Sequence, residues 1–104
     1  MEIEFRKKEL EDLYEGKKVK SKEFKSNATL IRSYIKTVKK IQGATDLNML
    51  KQIKSLNLEN LTNHPDGFSS VRIDGKYRLI IELVANESDE VEIIGIEEIS
   101  NHYS

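Results

Sequence analysis

Cysteine and long apolar segments are both absent from the 104-residue sequence. Without cysteine, disulfide bonds and thiolate metal sites are excluded. No apolar run approaches the roughly 20 residues that a membrane-spanning helix needs, and residues 1–5 lack the basic-then-apolar order of a secretion signal. The sequence also contains no repeat, linker or low-complexity tract. These absences predict a single cytoplasmic domain over residues 1–104 that makes no contact with a membrane.

The formal net charge of −1 conceals an uneven distribution of charge. Residues 1–54 contain 14 Lys and Arg against 8 Asp and Glu, whereas residues 55–104 contain 3 against 10. A basic first half could face nucleic-acid phosphates, which attract lysine and arginine without regard to sequence. It could equally be the solvated side of lysine-rich helices. The charge pattern alone leaves both interpretations open.

Hydrophobic periodicity in the first half predicts a short strand followed by helices. Glutamates alternate with apolar residues over residues 2–5, as in a strand with one buried face. A stripe of apolar residues at helical spacing predicts one long helix over residues 22–42. Shorter helices are predicted over residues 7–15, ended by Gly16, and after Asp46, which is a suitable N-cap.

The second half is richer in Val, Ile and Leu and predicts strands instead of helices. A leucine-containing arm and a loop precede strands at residues 68–73, 76–85 and 91–99. Helices followed by an antiparallel meander indicate an α+β domain, in which N-terminal helices pack on one face of a small, mostly antiparallel twisted sheet. The other face of this sheet would be left open for a partner or a substrate.

Asp74-Gly75 lies between two predicted strands and favours a two-residue hairpin turn. Such a turn would pair Arg72 with Tyr77, so that Arg72 and Arg78 would point to opposite faces of the sheet. Arg72 would then share the core side with Tyr77 and reach the open face only from the rim or past a bulge.

The second half contains a leucine arm, then Gly67, then Ser-x-Arg-Ile at residues 70–73, and then Tyr77-Arg78-Leu79. This order resembles the central block of the RelE/ParE superfamily of toxins from toxin–antitoxin systems, particularly the HigB branch, also called plasmid-maintenance killer proteins. The C-terminal His102-Tyr103 resembles the ending of the YoeB branch. The general layout fits most of the chain, but the specific part of the resemblance covers only about residues 56–84.

The resemblance implies a RelE-like fold and ribosome-dependent cleavage of messenger RNA. In that reaction a ribose 2′-hydroxyl attacks the adjacent phosphate, which calls for a base, a cation near the phosphate oxygens and an acid for the leaving oxygen. It requires neither a metal nor a cofactor, and no small-molecule ligand is expected. The implied partners are the ribosome with its mRNA and a cognate antitoxin, of the HigA-like helix-turn-helix type.

Four residues match catalytic positions of these families. Arg78 matches the arginine that contacts the scissile phosphate, and Glu59 matches the glutamate that is the expected general base in YoeB-like toxins. His102 and Tyr103 would supply an acid or base and a stacking or proton-donating phenol. Their place depends on the last strand, because the killer-protein ending would otherwise fall on residues 95–97, which lack this chemistry.

Three further residues are candidates for RNA binding: Arg72, Lys76 and His64. Each candidate also has a structural interpretation. Arg78 could form an exposed ion pair with Glu82 or Glu92, while Glu59, His64 and Lys76 could simply be solvated. The C-terminal His-Tyr pair could belong to an unused tail.

Three functions therefore compete. The first is the mRNA endoribonuclease, and the second is a ParE-like toxin that poisons DNA gyrase without nuclease chemistry. The third is a non-catalytic module of the same fold that only binds its antitoxin. The acidity of the second half counts against the nuclease, because acidic groups would have to face away from the RNA.

Overall fold

The structure is a computed structural model that describes residues 1–101. Within these residues five strands form one sheet: β1 (Glu2–Phe5), β2 (Glu59–Asn60), β3 (Phe68–Arg72), β4 (Tyr77–Ala85) and β5 (Val91–Asn101). Their order in the sheet is β1-β5-β4-β3-β2, and of these described pairs only β1–β5 is parallel. The helices are α1 (Lys8–Tyr14), α2 (Lys22–Lys25), α3 (Ala28–Gly43) and α4 (Leu47–Gln52), followed by a 3₁₀ turn at Lys54–Leu56.

The core lies between the helices and one face of the sheet. Tyr34 and Val38 of α3 are fully buried, as are Leu79 and Ile81 of β4 and Ile94 of β5. Burying these side chains together gives the helices their place on the sheet, since each large apolar side chain contributes about 2 kcal/mol. The α+β fold class with helices on a mostly antiparallel sheet is thereby confirmed. In the part of the chain that the structure describes, no helix is long and apolar enough to cross a membrane.

The prediction of one continuous helix over residues 22–42 is wrong. The chain leaves the helix after Lys25, and Asn27 takes a non-helical backbone conformation with φ −116° and ψ 77°. Its side-chain oxygen accepts a hydrogen bond from the backbone N–H of Leu30, so Asn27 is the N-cap of a new helix. The predicted cap at Asp46 is confirmed, because its carboxylate accepts a hydrogen bond from the N–H of Met49.

The predicted two-residue turn at Asp74-Gly75 is also wrong. Arg72 lies directly opposite Arg78 in the β3–β4 ladder, and the N–H of Ile73 donates to the carbonyl of Tyr77. The loop therefore contains three residues, and the carboxylate of Asp74 stabilises it by accepting from the N–H groups of both Lys76 and Tyr77, each at 2.8 Å. A carboxylate that bonds to the backbone two residues on replaces the positive-φ turn that glycine would have favoured.

This one-residue difference changes which side chains of β3 share a face. Residues directly opposite each other in an antiparallel pair point to the same side, so Arg72 lies on the same face as Arg78. Val71 lies opposite Leu79, and both are fully buried on the helix side. The expected placement of Arg72 on the core side is therefore wrong. We call the side of the sheet that carries Arg72 and Arg78 the open face.

Candidate nucleic-acid interface

Arg78 lies on the open face, where three oxygen atoms of the protein hold its guanidinium. Nε donates to Oγ of Ser70 at 2.8 Å, and Nη2 donates to the backbone carbonyls of Asn57 at 2.7 Å and of Ser70 at 3.1 Å. The side chain is only 11% exposed. The alternative ion pair with Glu82 is wrong, because Glu82 contacts Arg6 instead. Arg78 is thus a cation held by partners that are mainly neutral.

The hydrogen bonds of Arg78 limit how it can contact an anion. A guanidinium has five N–H donors, one on Nε and two on each Nη. Residues 1–101 account for the donor on Nε and both donors on Nη2, which leaves the two donors of Nη1 for a ligand. A bidentate interaction with two phosphate oxygens would need a free N–H on a second nitrogen. In this arrangement Arg78 can therefore offer one nitrogen to a phosphate, unless the contact with Asn57 is released.

Glu59 lies on the same face as Arg78. It is opposite Ser70 in the β2–β3 ladder, and its Oε2 is 3.9 Å from Nη2 of Arg78. Its other oxygen, Oε1, accepts a hydrogen bond of 3.2 Å from the side-chain amide of Asn57. At 56% exposure the Glu59 side chain is open to solvent. A carboxylate that is near the cation but outside hydrogen-bond distance of it can still accept a proton from a hydroxyl group.

The predicted RNA-binding residues lie around this pair at different distances along the sheet. Arg72 is exposed beside Arg78 on the open face. Lys76 is exposed in the hairpin loop, with its Nζ 5.6 Å from the ring centroid of Tyr77. His64 is exposed at the other end of β3, where its ring stacks on Phe68 with 5.9 Å between the centroids. All three side chains are exposed to solvent, and the β3–β4 register places Arg72 on the open face.

The remaining two catalytic candidates, His102 and Tyr103, lie outside the described residues. The last strand nevertheless bears on their assignment, since β5 runs to Asn101 and not only to residue 99. Ser100 is opposite Arg78, and Asn101 is opposite Tyr77. The longer strand is the alternative that the ending His102-Tyr103 requires.

A second arginine on the open face was not predicted from the sequence. Arg6 follows β1, and its Nη1 donates to Glu82 at 2.8 Å and to Glu97 at 3.1 Å, while Nε is 3.1 Å from Glu4. Its guanidinium lies over Gly95, where an added Cβ would be 2.6 Å from Cζ. The pKa of Arg6 is raised above its ordinary value, because the lowering effect of burial is outweighed by the hydrogen bond and charge of Glu82 and the charges of Glu4 and Glu97.

The open face therefore has two regions of different charge. We call the first the arginine corner, formed by β2, β3 and β4, and the second the acidic corner, formed by β1, β5 and β4. The arginine corner consists of Asn57, Glu59, Ser70, Arg72 and Arg78, and the acidic corner consists of Glu4, Arg6, Glu82 and Glu97. Only the arginine corner presents more cationic than anionic side chains.

Sequence reasoning missed Ser70 and Asn57, which hold Arg78. Ser70 was noticed only as part of the Ser-x-Arg-Ile motif. Its bond to Arg78 depends on the β3–β4 register, and the incorrectly predicted turn at Asp74-Gly75 placed the two side chains on opposite faces. Asn57 had a weak signal, since a lone asparagine between Leu56 and Leu58 is a residue that tolerates the left-handed backbone region. Its φ is 44°.

No protein-family model matches this sequence, and no curated protein matches it significantly.

Proposed function

We propose that the protein is the toxin of a type II toxin–antitoxin system and acts in the cytoplasm as a ribosome-dependent mRNA endoribonuclease. In this proposal Glu59 accepts the proton of the attacking 2′-hydroxyl, and Arg78 stabilises the charge that develops on the phosphate oxygens. His102 and Tyr103 would protonate the leaving 5′-oxygen and stack on a base. A HigA-like antitoxin would hold the toxin inactive, and no metal takes part in the cleavage.

The observation that carries the proposal is the pairing of Arg78 with Glu59 on a face that the helices leave uncovered. Their nearest atoms are 3.9 Å apart, which is a suitable distance for a base and a cation that act on adjacent atoms of one phosphodiester. Arg72 lies beside them and adds a second positive charge. The open face is a surface and not an enclosed cavity, as a macromolecular substrate would require.

A non-catalytic module that binds only its antitoxin is the second candidate, and one observation favours it. Three of the donors of Arg78 are already bonded within the chain, and its side chain is 11% exposed. An arginine whose only role was to join β3, β4 and the segment before β2 would have the same environment. The nuclease proposal requires that Nη1 alone, or Nη1 after a small rearrangement, is sufficient for the phosphate.

The test is to induce the chain in a bacterium without an antitoxin and to map the 5′ ends of translated mRNA. We expect new ends in phase with codons, which Arg78→Ala abolishes. Arg32→Ala is the matched control, because it removes the same charge from the exposed side of α3, and it should leave the cuts in place. Growth arrest with intact mRNA and broken chromosomes would point instead to a gyrase poison, and absence of arrest would support the non-catalytic module.

A further inference from the structure

Asn57 contacts both Arg78 and Glu59, but with different atoms. Its backbone carbonyl accepts from Nη2 of Arg78 at 2.7 Å, and its side-chain amide donates to Oε1 of Glu59 at 3.2 Å. The residue has φ 44° and ψ 60°, in the left-handed region that asparagine tolerates better than most residues. This conformation aims the carbonyl and the side chain of one residue at two neighbouring groups.

Ser70 holds the guanidinium from the other side. It is 3% exposed, and both its hydroxyl and its carbonyl accept hydrogen bonds from Arg78. Because the serine is buried in β3, its position is set by the sheet and not by solvent. Arginine has many rotamers, and contacts to Nε and Nη2 together restrict both the direction and the tilt of the guanidinium plane.

We infer that Ser70 and Asn57 are positioning residues of the proposed cleavage site, an inference that rests on the proposed function. Ser70 and the carbonyl of Asn57 fix Arg78 so that Nη1 is the nitrogen that the described residues leave to contact the phosphate. The amide of Asn57 holds Glu59 beside the guanidinium but out of hydrogen bonding with it. Fixed groups pay no cost of ordering during the reaction, and small displacements of such groups reduce rates strongly.

The sequence supplies a matched control for each positioning residue. Ser69 precedes Ser70 in β3 and is equally buried, but it faces the core side and donates to Asn60. Asp89 resembles Asn57 in its backbone, with φ 60°, and lies in the turn before β5. Ser69→Ala is therefore the control for Ser70→Ala, and Asp89→Gly is the control for Asn57→Gly. Glycine preserves the left-handed backbone and the carbonyl and removes only the side-chain amide.

The first experiment measures kcat and KM for cleavage of mRNA on programmed ribosomes. We expect Ser70→Ala and Asn57→Gly to lower kcat by roughly ten- to a hundredfold, the range for losing a hydrogen bond to a charged group. KM should stay within about threefold, because the ribosome-binding surface is unchanged, and both controls should retain kcat. Ser70→Thr keeps the hydroxyl and should restore most of kcat. The inference would be overturned if the variants raised KM and left kcat unchanged. It would also be overturned if Ser69→Ala and Ser70→Ala had equal effects.

The second experiment does not depend on the nuclease proposal. In ¹⁵N NMR spectra of the full chain, the Nε–H of Arg78 should exchange slowly with water, because Ser70 accepts its hydrogen bond. Exchange should become at least roughly tenfold faster in Ser70→Ala and stay slow in Ser69→Ala. Slow exchange that persists in Ser70→Ala overturns the inference whatever the activity. If the unaltered chain does not cleave mRNA, the proposed function fails, and the positioning role in cleavage fails with it, while the exchange rates still show whether Ser70 fixes Arg78.

Discussion

Arg78 and Arg6 lie on the same face of one sheet, and both are held by oxygen atoms of the protein, but the charges of those oxygens differ. The closest partners of Arg78 are a hydroxyl and two carbonyls, and its one carboxylate neighbour among residues 1–101, Glu59, is 3.9 Å away. Arg6 has three carboxylates within 3.1 Å. The positive charge of Arg78 is therefore largely uncompensated, whereas that of Arg6 lies within a region of negative net charge.

The difference shows that neither residue type nor exposure alone indicates which arginine an anion could approach. Arg6 is in fact the more exposed of the two, at 27% against 11% for Arg78. An approaching phosphate would be repelled by the three glutamates around Arg6, while neutral acceptors order Arg78 without cancelling its charge. The acidic corner also accounts for part of the acidity of residues 55–104 and keeps it at one end of the open face.

Removing each arginine in turn is the most direct test of the difference between the two corners. Under the proposed function, Arg78→Ala should reduce cleavage of ribosome-bound mRNA by at least about a hundredfold, as expected for loss of a group that stabilises transition-state charge. Arg6→Ala should keep the rate per folded molecule within about threefold. The rates are measured on programmed ribosomes, with the folded fraction of each variant determined by circular dichroism. Equal loss of activity in both variants would remove the distinction between the two corners.

The effect of removing Arg6 should appear in the stability of the fold instead. Arg6→Ala leaves Glu82 and Glu97, which are 29% and 22% exposed, next to each other without their cation. We expect a loss of about 2 kcal/mol, between the values for exposed and buried ion pairs, measured by urea denaturation. Lys7→Ala is the control, because its ion pair with Glu98 is exposed and 3.6 Å long, and it should cost less than about 0.5 kcal/mol. A negligible effect of Arg6→Ala would mean that the acidic corner is not stabilised by its arginine.

At high pH, the contribution of the core residue Tyr34 to stability should differ from that of Arg6 on the open face. Burial raises the pKa of Tyr34 well above its ordinary value of 10.0, and its hydroxyl donates to the carbonyl of Leu10. As the pH rises, the unfolded chain therefore loses this proton at a lower pH than the folded protein does. The stability that Tyr34 contributes is fully present below pH 10 and declines as the pH rises further. The contribution of Arg6, whose pKa is raised above that of a free arginine, persists over the same range.

Between pH 9 and pH 11, the free energy of unfolding of the unaltered protein should fall by about 1.4 kcal/mol through Tyr34. This is the effect of one proton released by the unfolded chain over the one pH unit above its pKa. Urea denaturation at each pH measures this loss, and Tyr34→Phe provides the reference. The variant should be less stable at pH 8, because the carbonyl of Leu10 loses its partner, but the difference should shrink as the pH rises. Parallel pH profiles of the two proteins would show that another group causes the loss.

The sequence predicted the fold class and most elements, because they follow from apolar periodicity, which burial enforces directly. It failed at Asn27 and Asp74, where a single polar side chain bonds to the local backbone and overrides the wider pattern. The second failure reversed the face of Arg72 and hid the contact between Ser70 and Arg78. Arg78 and Glu59 were chosen as candidates by resemblance, whereas Arg6 was not, because its partners come together only through the β1–β5–β4 pairing.

The smallest expected effect tests how closely the acidic corner is packed. Gly95 lies beneath Arg6, and a Cβ there would be 2.6 Å from Cζ and Nη2. Gly95→Ala should therefore displace the guanidinium from Glu82 and Glu97 and cost about 1 kcal/mol in urea denaturation.

In an Arg6→Ala background, Gly95→Ala should stabilise the protein instead of destabilising it. With no guanidinium to displace, alanine in a strand is better than glycine by roughly 0.5–1 kcal/mol. The double-mutant cycle thus measures the contact between Gly95 and Arg6 directly. If Gly95→Ala costs the same in both backgrounds, the glycine is required by the β5 backbone and not by the arginine. The acidic corner would then owe its arrangement to the strand pairing alone, while the arginine corner would still depend on side-chain contacts that can be removed one at a time.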